Sequence, residues 1–309
     1  MIEKILNARK NLIMTDPALT LKKEFDQGTD ISIQKVKKIF TESELINRLL
    51  TDPKQKSDNF VGLRTYEWRL LELSEIPYTY TLDKVKKWLK MLIEKSYIKE
   101  GFSLTGDKDG VLSCHNSMIT TILMKMNYDN RELIEVGINW ILKYQSVNRG
   151  EECEWKGKNL FTKYGGCMKK TPCFYGVVKS MITLTEYKKR FKTSEEIQNK
   201  LNQGLEYILD HKVYKKLSTG EPIEDSIILN FYPYTYKSNI IEILSLLKAN
   251  DLLRDDRCND AIDILRKKIR DDGFWQADTA YMKTSWVDFD IPSKPGQWIS
   301  YVINNLLNE

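Results

Sequence analysis

The residues with the clearest chemical potential are four cysteines that fall within one stretch of sixty residues. They are Cys114, Cys153, Cys167 and Cys173, separated by 38, 13 and 5 residues. Thiolate sulfurs bind zinc tetrahedrally, and sets of four cysteines also hold iron–sulfur clusters. Because this spacing matches no compact zinc finger, such a site must be assembled by the fold rather than by the local sequence.

Helical periodicity predicts that Cys114 and Cys173 each begin a helix, where the macrodipole favours the thiolate form. An irregular segment, 146–172, carries the other two cysteines. A further helix before that segment gives an up-down-up path, which brings both helix starts and the loop to one end of the molecule. We predict a zinc site of four cysteines, with an iron–sulfur cluster as the alternative and His115 able to replace one ligand. Four free thiols without a metal are the other interpretation.

A second candidate for chemistry is the pair Asp288 and Asp290. Residues at positions i and i+2 share a face of an extended chain, so both carboxylates could point into one cavity. A carboxylic acid that burial keeps protonated can protonate an alkene or an epoxide. The aromatic faces of Trp286 and Phe289 would stabilise the resulting cation. The alternatives are two solvated aspartates on a surface loop or a cap for the helix after Pro295.

Aromatic residues cluster in front of predicted helices, where they would line the mouth of a cavity. The predicted ligand-binding residues are Phe174, Tyr175, Tyr232, Tyr234, Tyr236, Trp275, Trp286 and Lys294. The lysine precedes the last helix and would bind a diphosphate or a carboxylate. Packing between neighbouring helices is the alternative for the aromatic residues, and solvation is the alternative for the lysine.

Composition bounds the class of protein. Of the 309 residues, 41% are apolar and 29% are charged, as in a globular chain that buries a core. The net charge of +5 is small and the basic residues are scattered, so nucleic acid is not an expected partner. The first residues do not resemble a signal peptide, and no stretch reaches the roughly 20 apolar residues of a membrane span. We therefore expect a cytoplasmic protein without a transmembrane segment, whose thiols stay reduced.

Long stretches of helical periodicity and weak strand signals predict an all-α protein. The ten predicted helices are 42–50, 65–73, 82–95, 114–126, 131–145, 173–187, 194–210, 237–249, 256–270 and 296–307. A helix-pair unit of roughly 50 to 65 residues recurs about five times, and such units form an open solenoid or close into an α/α toroid. The segments 177–184 and 240–247 are apolar enough for an inner layer. We expect one domain over 41–309 after an N-terminal helical extension over 1–40.

Several motifs resemble the prenyltransferase and squalene-cyclase repeat superfamily, whose fold is an α/α toroid. They are Asp272-Gly-Phe-Trp275, the mid-helix glycines Gly137 and Gly204, and the motif from Trp286 to Trp298. Cys173-Phe-Tyr-Gly-Val-Val-Lys179 and the earlier cysteines resemble an uncharacterised prokaryotic branch more closely. The resemblance implies an apolar, isoprenoid-like ligand in a central cavity. It also implies a carbocation cyclase that uses Asp288 or Asp290 as its general acid.

The chain departs from both catalytic patterns of that superfamily. It lacks the Asp-x-Asp-Asp motif of class II cyclases, and its Asp-x-Cys pair, Asp256-Arg-Cys258, begins a charged helix. Its only histidines are His115 and His211. Because a fold does not fix a function, we keep a second class open. In that class the protein is not a catalyst, binds a ligand or a partner protein, and uses a cysteine-bound metal for structure.

Overall fold

Helices dominate the computed structural model, which describes residues 16–155, 170–279 and 287–308. Those residues form twelve α-helices and one two-stranded antiparallel sheet. The prediction of an all-α protein is therefore confirmed. None of the described helices has both the length and the apolar composition that a membrane span needs.

The helices are numbered in chain order, and their bounds are as follows. They are α1 (Pro17–Asp26), α2 (Ile33–Glu42), α3 (Glu44–Leu49), α4 (Phe60–Ser74), α5 (Asp83–Ser96), α6 (Ser113–Lys125), α7 (Arg131–Tyr144), α8 (Phe174–Arg190), α9 (Glu195–Asp210), α10 (Ile240–Lys248), α11 (Asn259–Lys267) and α12 (Gln297–Leu307). Strands β1 (Tyr97–Ile98) and β2 (Gly101–Phe102) form a short hairpin between α5 and α6.

Polar residues at the helix starts explain where many helices begin. The side chains that accept a backbone N–H of the first turn are Asp16, Ser32, Ser43, Asn59, Asn130, Ser194 and Asn239. Such a cap is worth about 1 kcal/mol because it satisfies a donor that the helix itself leaves free.

All ten predicted helices are present, and the differences lie at their ends. Helix α4 starts at Phe60, earlier than predicted, because the Asn59 side chain accepts from the Gly62 N–H at 2.9 Å. Helix α10 starts later than predicted because Asn239 caps it. Helices α1 and α2 occupy the predicted N-terminal extension, and the predicted boundary at residue 40 falls inside α2.

Five helices pack in sequence to form an inner set, since α4 contacts α6, α6 contacts α8, α8 contacts α10 and α10 contacts α12. Helices α5, α7, α9 and α11 pack behind α4, α6, α8 and α10, respectively. The two segments predicted to be buried, 177–184 and 240–247, are indeed almost entirely buried. Each of these four pairs joins a helix to the one that follows it in the chain, and the two layers of a toroid stay a prediction.

Small residues allow the inner helices to approach their neighbours closely. A Cβ atom on Gly176 of α8 would lie 2.8 Å from the Ser113 Oγ at the start of α6. A Cβ on Gly137 of α7 would lie 1.9 Å from the Thr120 Oγ1 of α6. A side chain at either position would force the neighbouring hydroxyl group to move, which is a packing reason for glycine at both.

Helix α1 joins this set, because it contributes to the same cavity as α4, α6, α8, α10 and α12. A residue at or next to the C-terminal end of each of these six helices lines the cavity, so their C-terminal ends lie around it; these residues are Asp26, Glu75, Lys125, Lys189, Lys248 and Leu306. This arrangement is what an α/α toroid would give, and the closed ring itself stays a prediction.

Candidate functional site

A central cavity of about 450 Å³ is the main candidate site of the described chain. This volume lies within the range of roughly 300 to 1,000 Å³ that is usual for small-molecule sites. Its wall combines apolar side chains, tyrosine rings and an unusual number of charged groups. The charged lining residues are Lys22, Asp26, Glu75, Lys125, Lys179, Glu186, Lys189, Glu242 and Lys248.

An ion pair between Lys179 of α8 and Glu242 of α10 is the most deeply buried of these charged groups. The Lys179 Nζ donates to both carboxylate oxygens of Glu242, at 2.6 and 2.7 Å. Only 3% of the lysine side chain and 9% of the glutamate side chain are exposed. Burial lowers the pKa of Lys179 from its ordinary value, although Glu242 opposes that shift.

A second pair joins Lys125, the last residue of α6, to Glu75, which follows α4. Its N–O distance is 2.6 Å, and the Tyr232 hydroxyl donates to the other Glu75 oxygen at 2.9 Å. Burial opposes the ionisation of Glu75, but Lys125 and this hydroxyl hold the pKa of the carboxyl below its usual range. Burial likewise opposes the charge of Lys125, but Glu75 and Glu186 raise the pKa of the amine. Lys125 is therefore held as an ammonium ion.

Two further ion pairs, both partly exposed, also line the cavity. Lys22 and Asp26 of α1 lie 2.6 Å apart, and Lys189 and Glu186 of α8 lie 2.7 Å apart. The Tyr301 hydroxyl of α12 also donates to Asp26, at 2.7 Å. Each carboxylate in the lining is thus paired with a lysine from the same lining.

Lys248 is the one lining lysine with no carboxylate partner among the described residues. Its amine donates to the carbonyls of Asn305, Leu306 and Asn308 at the end of α12. Lysines commonly stabilise a helix C-terminus in this way, because the carbonyls there have no helical partner. Burial lowers the pKa of Lys248. The cavity lining has five lysines and four carboxylates, so Lys248 is the lysine in excess.

Apolar side chains complete the wall between these charged groups. Leu71, Met118, Ile182 and Leu246 come from four different inner helices. Tyr234 lines the cavity beside them, and burial raises the pKa of its hydroxyl well above the ordinary value. The wall can therefore accept both an apolar body and charged groups of one small molecule.

Two of the predicted ligand-binding residues, Tyr232 and Tyr234, line this cavity. Tyr236 does not line it and stacks instead on Trp68, with ring centroids 6.0 Å apart and an interplanar angle of 15°. Lys294 is exposed on the turn before α12 and is not part of the lining. Trp286 lies outside the described residues.

The other predicted aromatic residues have packing roles away from the cavity lining. Phe174 packs edge to face on His211 at 5.2 Å, and the Tyr175 hydroxyl donates to Glu224 at 3.1 Å. Trp275 is fully buried, and its Nε1 donates to the Leu265 carbonyl at 2.8 Å. These contacts match the alternative of packing between helices.

Asp290 has the geometry of a helix cap, which was the alternative interpretation of this residue. Its carboxylate accepts the backbone N–H groups of the first three residues of α12, at 2.7, 3.1 and 2.8 Å. Burial raises the pKa of Asp290, and the three donors oppose that shift. Burial is the main reason why the pKa of Glu72 on α4 is raised, and Asp288 lies close enough to raise it further. Neither aspartate lines the cavity, and a catalytic role for either one stays a prediction.

The predicted metal ligands are only partly brought together. Cys114 and Cys173 lie close enough for the second to affect the pKa of the first, which burial already raises far above its ordinary value. Cys153 is buried elsewhere, and its thiol donates to the Tyr144 carbonyl at 3.4 Å. Cys167 lies outside the described residues.

Within the described ranges no three His, Cys, Asp or Glu side chains are grouped as a metal site requires. The protonated Cys114 thiol would also have to lose its proton before it could bind a metal. The described residues therefore do not form a metal centre on their own, and zinc or an iron–sulfur cluster stays a prediction.

A buried pair of His115 and Glu67 lies near these cysteines. The His115 Nδ1 and a Glu67 carboxylate oxygen are 2.7 Å apart, and the other oxygen has no hydrogen-bond partner in the described chain. Burial raises the pKa of Glu67, although His115, Arg64 and Lys179 oppose that shift. Lys179 helps to lower the pKa of Glu67 and forms an ion pair with Glu242. The two buried pairs therefore belong to one polar core between α4, α6, α8 and α10.

Sequence reasoning did not identify Lys179 and Glu242 as site residues, although the sequence contains a signal for them. Lys179 is the only charged residue of the apolar segment 177–184, and Glu242 is the only one of 240–247. Lysine and glutamate are almost never fully buried without a partner. Opposite charges on two helices that are both predicted to be buried therefore predict an ion pair between them.

Comparisons with protein-family models, with curated proteins and with solved structures find no match for this chain. The resemblance to the prenyltransferase and squalene-cyclase superfamily consequently stays a prediction, as do the ligand and the partner that it implies.

Proposed function

We propose that this chain binds an amphipathic small molecule, with an isoprenoid-like apolar body and an anionic head, in its central cavity. The observation that carries the proposal is a cavity of about 450 Å³ to which six helices contribute both apolar and charged groups. Small-molecule sites usually combine apolar walls with polar groups that fix the orientation of the ligand, and this cavity has both.

The charge of the lining favours an anionic head. Four of the five lysines in the wall are paired with the four carboxylates, and Lys248 has only carbonyl partners in the described chain. An anion near Lys248 would gain a charge-assisted hydrogen bond, whereas a cation would meet an amine whose protons already point to carbonyls. The apolar body would lie against Leu71, Met118 and Ile182.

The same lining favours binding over carbocation cyclisation. A cyclase of that kind needs a protonated carboxylic acid that faces the substrate. Here each lining carboxylate is paired with a lysine, and Lys125 holds the pKa of the Glu75 carboxyl below its usual range. We therefore place the cyclase second, since it would need Asp288 or Asp290 to reach a substrate from outside the cavity lining.

Calorimetric titration with farnesyl diphosphate and with farnesol tests the proposal, because these probes share a chain and differ in the anionic head. We expect one site per chain and at least tenfold tighter binding of the diphosphate, equivalent to about 1.4 kcal/mol. Lys248→Met should remove most of that difference without affecting farnesol.

A matched pair of variants locates the binding site. Val302→Trp would fill the cavity from α12 and should abolish binding, whereas Val61→Trp adds the same ring at a side chain that is 43% exposed and outside the lining. Binding that survives Val302→Trp in a folded chain, or the absence of one-to-one binding of either probe, would overturn the proposal.

A further inference from the structure

The amine of Lys179 stands out among the lysines of the cavity. It is buried on α8 at the cavity wall, it pairs with the carboxylate of Glu242, and its charge helps to lower the pKa of Glu67 against the effect of burial. A structural ion pair alone explains a buried lysine, but it does not explain why the pair borders a space that is large enough for a small molecule.

We propose that Lys179 is a reactive amine that forms an imine with an aldehyde or ketone that enters the cavity. This inference rests on the proposed function, because it requires that the cavity admits a small molecule. Lysines that perform this chemistry are desolvated in a largely apolar pocket, which supplies the neutral amine that attacks a carbonyl carbon.

The surroundings of Lys179 and Lys125 differ in the way that this chemistry requires. Burial lowers the pKa of Lys179 despite its pairing with Glu242, so its ammonium ion gives up a proton more readily than an ordinary lysine. Lys125 lines the same cavity, but Glu75 and Glu186 raise its pKa and keep it charged. The cavity thus contains a buried candidate nucleophile and a matched lysine that stays charged, while Lys248, whose pKa burial also lowers, donates to the carbonyls at the end of α12.

Glu242 can move the protons that the reaction needs, since both its oxygens lie within hydrogen-bond distance of the Lys179 Nζ. The ammonium first gives a proton to Glu242, and the free amine attacks the carbonyl carbon, whose π electrons move to oxygen. Glu242 then returns the proton to that oxygen, which gives a carbinolamine.

In the second stage the nitrogen passes a proton to Glu242, which delivers it to the hydroxyl group. The C–O bond breaks, water leaves, and a C=N bond forms. Overall, one ammonium and one carbonyl become one protonated imine and one water, and Glu242 ends as the carboxylate that faces the new cation. No oxidant, reductant or metal is required.

Reductive trapping tests this inference on the intact, unmodified chain. The protein is incubated with a limiting amount of butanal and sodium cyanoborohydride, and the butylated lysines are identified and timed by peptide mass spectrometry. We expect Lys179 to react at least tenfold faster at pH 7 than Lys125 and than Lys86, which is exposed on α5. The comparison within one chain does not depend on whether any variant folds.

The pH profile of trapping separates a reactive amine from an accessible one. The trapping rate at Lys86 should rise about tenfold per pH unit, as the neutral fraction of an ordinary lysine does. The trapping rate at Lys179 should stop rising at a lower pH than the rate at Lys86, because its amine is fully neutral there. Glu242→Gln should move that plateau to still lower pH, because the carboxylate that stabilises the ammonium is gone. Trapping at Lys179 that is no faster than at Lys86, or that has the same pH profile, would overturn the inference.

A parallel titration distinguishes this failure from a failure of the proposed function. If farnesyl diphosphate binds but Lys179 is not trapped, only the imine chemistry is wrong. If Lys179 is trapped selectively but farnesyl diphosphate neither binds nor protects it, the imine chemistry stands and the proposed ligand class is wrong.

Discussion

Breaking the ion pair between Lys179 and Glu242 should be far more costly than breaking a surface pair. The two side chains are 3% and 9% exposed, so either variant, Lys179→Met or Glu242→Met, leaves its partner without a counter-charge in the interior. Loss of one member of a buried pair costs about 3–5 kcal/mol. For a chain of this length we expect a fall in melting temperature of roughly 6–10 °C.

Replacement of both members should recover most of that loss. In Lys179→Met/Glu242→Met neither charge is left unpaired, and such replacements are often neutral or stabilising by about 1–4 kcal/mol. The four chains of the double-mutant cycle should therefore show a coupling energy of about 3 kcal/mol or more. Urea unfolding followed by circular dichroism gives each free energy of unfolding, with the slope as a check that the unfolded state is unchanged.

The matched control is Lys86→Met, since Lys86 and Asp83 form a pair at 3.4 Å whose side chains are 60% and 101% exposed. That variant should change the free energy of unfolding by less than about 1 kcal/mol. If the single variants of the Lys179 pair also cost less than about 1 kcal/mol, the pair is hydrated rather than buried, and the reasoning about the cavity wall is refuted.

Three further results are expected. Asp290→Ala should cost about 0.5–2 kcal/mol in urea unfolding, because it removes the acceptor at the start of α12, and an unchanged stability would contradict the cap. Gly137→Ala should destabilise by about 1–3 kcal/mol despite the better helix propensity of alanine, since its Cβ would clash with Thr120, so a stabilised variant would contradict the close approach. Burial raises the pKa of Glu72 to about 8 against the opposing effect of Arg69, which lies 3.1 Å away. Because the folded state then binds more protons than the unfolded state between the ordinary pKa of 4.5 and about 8, stability should fall as pH rises through that window, and Glu72→Gln should reduce that slope in urea unfolding at stepped pH.

The elements of this fold could largely be predicted from the sequence, because helical periodicity and capping residues are local signals. All ten predicted helices exist, and the errors at the starts of α4 and α10 arise from Asn59 and Asn239, whose capping role was not used. Helix α1 could not be assigned to the cavity from sequence. Lys22 and Asp26 line the cavity because of how α1 packs on distant parts of the chain, and neither residue type predicts that packing.

The candidate site was less predictable, because a residue type does not reveal which neighbour it will meet. Tyr232 and Tyr234 line the cavity, whereas Tyr236, two residues further on, stacks on Trp68. Asp290 looked like an acid because it lies among aromatic residues, yet backbone donors of α12 surround its carboxylate. Both outcomes follow from tertiary packing that a local pattern cannot specify.

The buried pair itself supplies the strongest reason to look for chemistry in the cavity. Since apolar residues of similar volume often stabilise a protein as well as a buried ion pair does, stability alone gives little reason to retain Lys179 and Glu242. The decisive chain is therefore Lys179→Met/Glu242→Met. If the pair serves only the fold, the double variant should bind farnesyl diphosphate like the unaltered protein. In the unaltered protein, butanal should then trap Lys179 no faster than Lys86. If the pair serves the cavity, the double variant should keep its stability, lose the selectively trapped lysine and leave trapping at Lys86 unchanged.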